Sequence, residues 1–138
     1  MDVERIKKKM LMIAEYKKRI EKTLPDTHQK YSKSDFPVKN VVERNLQLIS
    51  DAQFDILSLV YKGLEPKLSG DENSLLENLK GPIGARIIDG IKTRRLFRNL
   101  LVHAYADNEL DENAYSQAKN MDDIDEFTRA IKRLIEKS

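Results

Sequence analysis

The segment Arg98-Asn99-Leu100-Leu101-Val102-His103-Ala104-Tyr105 sets a permanent cation, an amide, an imidazole and a phenol along roughly two turns of an expected helix. Arginine stays protonated at any physiological pH, so it cannot relay protons, but its planar fork of donors suits phosphate oxygens. Histidine titrates near neutrality and can serve as general base or general acid. Cleavage of RNA by its own 2′-hydroxyl needs little more. A base removes that proton, a cation stabilises the charged phosphorane-like transition state, and an acid protonates the leaving oxygen. No metal is required for this chemistry. His103 is one of two histidines in the chain. It ends a basic stretch in which Arg86, Lys92, Arg94, Arg95 and Arg98 are opposed locally by Asp89, a composition suited to phosphate.

Helical spacing constrains how these groups can meet. At about 100° per residue Arg98 and His103 lie roughly 140° apart, while Arg98 and Tyr105 nearly coincide. A single straight helix cannot close Arg98 onto His103. Phe97, Leu100, Leu101 and Ala104 read as the apolar stripe, which leaves Arg98 and His103 flanking the opposite face with Arg95, Asn99 and Val102 between them. Two copies meeting across a two-fold axis along that face would each bring an arginine and a histidine to one cleft, so a homodimer is expected.

Arg-x4-His-x-Tyr, with asparagine directly after the arginine and an apolar run before the histidine, resembles the signature of HEPN domains, specifically the HepT toxins of type VII (MNT-HEPN) toxin–antitoxin pairs. The order of expected elements is similar to that family over nearly the whole chain. The resemblance implies a metal-independent ribonuclease acting on RNA as a homodimer, with Arg98 and His103 catalytic and Asn99 at the polar position that follows the arginine. It also implies a minimal nucleotidyltransferase (MNT) antitoxin as partner, which places AMP on Tyr105, and an acid on the second helix facing the catalytic arginine. Asp55 is the candidate for that acid. It interrupts the apolar stretch Phe54 to Val60, where an unpaired carboxylate is costly to bury. An exposed acid on the wet side of the helix is the other reading.

Plainer explanations stand beside these. A histidine near a helix C-terminus interacts with the helix dipole. Arg94 and Arg95 are candidates for RNA binding, and equally for a solvated face or for pairing with acids on a neighbouring helix. Tyr105 also suits an aromatic rim of the core. Two other classes of function fit the chain: a non-catalytic HEPN subunit that docks a nucleotidyltransferase or its nucleotide, and a helical dimerisation protein with a structural motif. His28 has no spaced partner and reads as surface. Asp122, Asp123, Asp125 and Glu126 favour a helix N-terminus and, without nearby histidine or cysteine, make a poor transition-metal site, so no cofactor is expected.

Composition bounds the remainder. The 138 residues are expected to form one domain spanning 1–138, and 40% hydrophobic with 35% charged residues excludes a disordered chain. A net charge of +2 conceals local asymmetry, since the basic run before His103 is followed by Asp107, Glu109, Asp111 and Glu112. Absence of cysteine excludes disulfide and thiol chemistry. No apolar run approaches the ~20 residues of a membrane span, and the charged start lacks the apolar core of a signal peptide, so a cytoplasmic protein with no membrane contact is expected.

The period is helical throughout. Val3, Ile6, Met10, Ile13, Ile20 and Leu24 mark a first helix closed by Pro25, with Lys17 its polar interruption. A polar stretch from Asp26 to Lys33 follows, and Ser34 is expected to cap a second helix reaching about Leu64. That helix carries two apolar stripes, one through Val42, Leu46, Ile49, Ile56 and Val60 and one through Val41, Leu48, Ala52 and Leu59, and so needs two partners, its own core and, as one candidate for the other, a second subunit. Ser74 with Glu77 suggests a capping box opening a short helix that Gly81-Pro82 breaks. The motif helix is expected from Gly84 or Ala85 to about Tyr105, with a bend at Gly90. An acidic connector with one turn around Tyr115 then leads to a last helix capped by Asn120 and Asp123 and marked by Ile124, Phe127, Ile131 and Leu134. The expected fold is all-α: an antiparallel up-and-down bundle of four main helices plus a short one, HEPN-like and homodimeric.

Overall fold

Apolar residues at three- and four-residue steps become eight helices among the described residues: α1 (Val3–Thr23), α2 (His28–Ser32), α3 (Phe36–Leu64), α4 (Glu72–Asn78), α5 (Lys80–Ile83), α6 (Ala85–His103), α7 (Asn108–Lys119) and α8 (Asp122–Lys137). The computed structural model describes residues 1–64, 71–103 and 108–137, with backbone alone at His103, Asn108 and Glu109. Tyr105, the expected end of the motif helix and part of the turn around Gly70 lie outside the described residues.

The four long helices run up and down. Lys9 of α1 pairs with Asp55 of α3, and Met1 approaches Gly63. Asp51 of α3 pairs with Arg98 of α6, and Phe54 lies under Arg95. Arg86 and Arg94 of α6 reach Glu126 and Asp123 of α8. In each case numbers rise on one helix as they fall on the other, so neighbours are antiparallel. Lys17, the polar interruption of α1, bonds Asp125 of α8 at 2.8 Å.

The core confirms the first stripe of α3: Val42, Leu46, Ile49, Ile56 and Val60 are all buried. With Ile6, Ile13 and Ile20 of α1 and Ile124, Phe127 and Ile131 of α8 they form one apolar cluster, each fully buried side chain contributing roughly 1.5–3 kcal/mol. The second stripe is covered unevenly, Ala52 being buried and Val41, Leu48 and Leu59 half-buried. Both sides of α3 find partners within the chain, in α1, α4, α6 and α7.

Several expected details change. The cap of α3 is Asp35, whose Oδ1 accepts from the Val38 amide at 3.2 Å, while the Ser34 hydroxyl turns back to the Lys30 carbonyl. Asp71 caps α4 by accepting from the Ser74 amide at 2.7 Å, which starts that helix earlier than a Ser74 cap would. Gly81-Pro82 lies inside α5, a single turn. The break falls instead at Gly84, whose φ of 120° is open to glycine and closed to other residues. The polar stretch before α3 holds α2, capped by Thr27, and α7 spans three turns where one was expected. Both short helices owe their stability to packing on each other, with Tyr31 buried and its ring 5.8 Å from that of Tyr115. Asn120 closes α7, donating to the Ser116 carbonyl, instead of opening α8.

Candidate active site

The motif helix α6 continues through Gly90 and brings its cations to acids on other helices. Arg98 donates from Nε to Oδ1 of Asp51 at 2.9 Å, and from Nη1 to Oδ1 of Asn99 at 3.5 Å. The same Asp51 oxygen accepts from Arg95 Nη1 at 2.8 Å. Arg95 also pairs through Nε with Glu72 of α4, and its guanidinium carbon stands 4.7 Å from the centroid of the Phe54 ring. Arg98 is half-buried and keeps the remaining donors of its fork uncommitted by any described residue. An arginine anchored on one edge and open on the other is prepared for a phosphate at little cost in side-chain entropy.

The expected pairing of Asp55 with Arg98 is corrected. Asp55 lies one turn further along α3 and bonds Lys9 of α1 at 3.1 Å, whereas Asp51 holds Arg98. The apolar interruption at Asp55 is real, but its partner comes from α1 instead of α6. Asp51 and Glu72 are the site residues that sequence reasoning missed. The available signal was that Asp51 and Asp55 stand at i and i+4 on one helix face, so either could serve.

Arg94 is corrected as well. It is buried, 5% exposed, and its guanidinium clamps Asp123 through Nε at 2.8 Å and Nη2 at 2.7 Å, with Nη2 also donating to the Asn120 carbonyl at 2.9 Å. It binds α6 to the start of α8 and offers nothing to RNA. Of the plainer readings, pairing with a neighbouring helix is the one realised. Arg86 with Glu126 and Lys92 with Glu77 follow the same pattern, and Lys92 together with Lys80 holds the Glu77 carboxyl below its ordinary range. The basic stretch is therefore largely neutralised by acids brought from elsewhere. Within the motif, the cationic donors left uncommitted by the described residues are those of Arg98.

Leu100, expected in the inward stripe, faces outward. Leu96, Leu100 and Val102 are 67%, 50% and 48% exposed, while Phe97 is buried and Leu101 half-buried. Asn99 is exposed beside them. Helical spacing places position 103 on the side of α6 that carries Leu96, Asn99 and Leu100, away from Arg98. His28 is exposed, 3.4 Å from the Ser32 hydroxyl and remote in sequence from the motif. Clefts of about 370 and 530 Å³ between α1 and α8 contain no motif residue. A cleft of about 270 Å³ does touch the motif helix, at Leu101.

The family model of the HepT-like ribonucleases matches residues 13–131. This chain belongs to the HepT-like ribonuclease family. No curated protein matches it significantly. Among solved structures, the HepT-like chain is similar to a Shewanella oneidensis HEPN toxin, described as tri-AMPylated and in complex with an MNT antitoxin. The two share 23% identity with a TM-score of 0.82, over 94% of this chain and 97% of that one. The likeness establishes the HEPN fold. None of the described helices of the HepT-like chain is long and apolar enough to cross a membrane.

Proposed function

We propose that this HepT-like protein is the toxin of a type VII pair: a single-domain, cytoplasmic, homodimeric endoribonuclease that cuts RNA without a metal. What carries the reading is family membership together with an Arg98 guanidinium held by Asp51 and open on its outer edge. His103 takes the 2′-hydroxyl proton or returns a proton to the leaving oxygen, and Arg98 stabilises the charge that builds on the phosphate. Asn99 accepts from Arg98 and orients either that fork or the RNA.

Spacing puts position 103 away from Arg98 on α6, so a complete site needs a second copy. The exposed Leu96, Leu100 and Val102 support an interface along this face. The partner of the Shewanella oneidensis neighbour supports an MNT antitoxin for this chain, with Tyr105 as acceptor of AMP. A bulky charged nucleotide there would block the cleft by sterics and repulsion.

The test is cleavage of a short RNA in the presence of a chelator, beside the same RNA carrying a 2′-deoxyribose at the target nucleotide. Cutting of the first and silence of the second is expected, with Arg98→Ala and His103→Ala both inert and both harmless to growth. Cleavage of the deoxy substrate would rule out the 2′-hydroxyl as nucleophile. Leu100→Glu is expected to give a monomer on sedimentation and to lose activity with its helix content intact.

A further inference from the structure

We propose that the face of α3 from Phe36 to Gln47 is a track that holds single-stranded RNA and leads it to Arg98, an inference that rests on the ribonuclease reading and assigns the strand a path. Phe36, Asn40, Arg44, Gln47 and Asp51 recur at three- and four-residue steps, so they share one face of α3. Its far end is Asp51, which grips Arg98. From Phe36 to Asp51 the rise is about 22 Å at 1.5 Å per residue, enough for several nucleotides.

Each position offers what a single strand needs. Phe36 is the most exposed large apolar side chain described, at 78%, and nothing in the core accounts for a ring at that place. An exposed ring two turns from an unpaired arginine on the same helix face offers a stacking platform for a base. Arg44 is exposed, donates to the Gln47 side chain at 3.2 Å and takes part in none of the ion pairs among the described residues. It therefore differs from the neutralised cations of α6 and keeps donors for a phosphate. Asn40 is exposed beside it and carries an amide able to meet a base edge.

These residues line one side of the 270 Å³ cleft, and Leu101 of α6, one turn beyond Arg98, lines the other. Leu110 and Asp111 of α7 complete the lining, so the cleft lies between α3, α6 and α7 beside the motif helix. Lys39 is committed to Asp111 at 2.8 Å. Burial, and then the nearby Asp111, pushes the Glu43 carboxyl above its ordinary range.

The experiment measures binding separately from cleavage. A 3′-fluorescein 12-mer of RNA is titrated by anisotropy, at fixed salt, with His103→Ala protein and with the same protein carrying Arg44→Ala, Phe36→Ala or, as a control on α8, Arg133→Ala. Arg44→Ala and Phe36→Ala are expected to weaken binding about tenfold each, the loss of one phosphate contact or one stacked base, and Arg133→Ala to leave it unchanged. Circular dichroism checks that the helices persist. Unchanged affinity in both track variants, an equal loss in the α8 control, or no binding by the His103→Ala parent would overturn the track. Wild-type protein that binds RNA through Arg44 and Phe36 but fails to cut it would sink the catalytic reading and leave the track standing.

Discussion

Arg98 gives its Nε to Asp51 and its Nη1 to Asn99, while the described residues leave the rest of its fork uncommitted, and this division makes it useful to a phosphate. A fully paired guanidinium, as at Arg94, is spent on structure. Asp51 does double service, since one oxygen takes both Arg98 and Arg95 and so fixes their separation. Replacing it with asparagine removes the charge that holds both, and a misplacement of about 1 Å at a catalytic group can cost on the order of a hundredfold in rate. Asp51→Asn is therefore expected to lower kcat for RNA cleavage by roughly ten- to a hundredfold, whereas Asp55→Asn, which touches only the Lys9 pair, leaves it close to the parent. Single-turnover cleavage rates on the two variants check this, and equal losses would show that Asp51 has no special hold on the reaction.

Among the helices, α6 is the one whose burial pattern departs most from a simple stripe. Its inward side passes from Ile88 and Ile91 through Arg94 to Phe97, and the buried arginine is tolerated because the start of α8 delivers a carboxylate and a carbonyl to it. Asp123 is about one-third exposed, so the pair is worth less than a fully buried one. Arg94→Met is expected to cost about 3 kcal/mol of stability, at the low end for breaking a buried pair, because Asp123 is left facing an apolar side chain. Urea denaturation monitored by circular dichroism measures it. RNA binding by the folded fraction should not change, in contrast to Arg44→Ala. The same clamp explains the acidic opening of α8: Asp123 serves Arg94, Asp125 serves Lys17 and Glu126 serves Arg86.

For the molecule as a whole, stability carries a pH dependence traceable to Glu43, half-buried near Asp111, Lys39 and Tyr31. Its folded pKa is raised above the ordinary 4.5, first by burial and then by Asp111. The folded state then holds this proton more tightly than the unfolded chain, so stability falls as pH rises from about 4.5 through the raised value. Glu43→Gln removes that loss. It is expected to exceed the parent in stability at pH 7, with the gap closing at pH 4, by urea denaturation at both values; a gap of the same size at pH 4 would assign the effect to packing. What the sequence determined by itself was local: helical period, the first stripe of α3, the ends of α1, and the Arg98–His103 motif, since these depend on spacing within one segment. Tertiary structure decided which acid meets which arginine, whether Leu100 faces in or out, and that α7 is a helix of three turns. Those outcomes depend on residues tens of positions apart. Two carboxylates four residues apart on one helix, such as Asp51 and Asp55, are equivalent until packing puts α6 beside one and α1 beside the other.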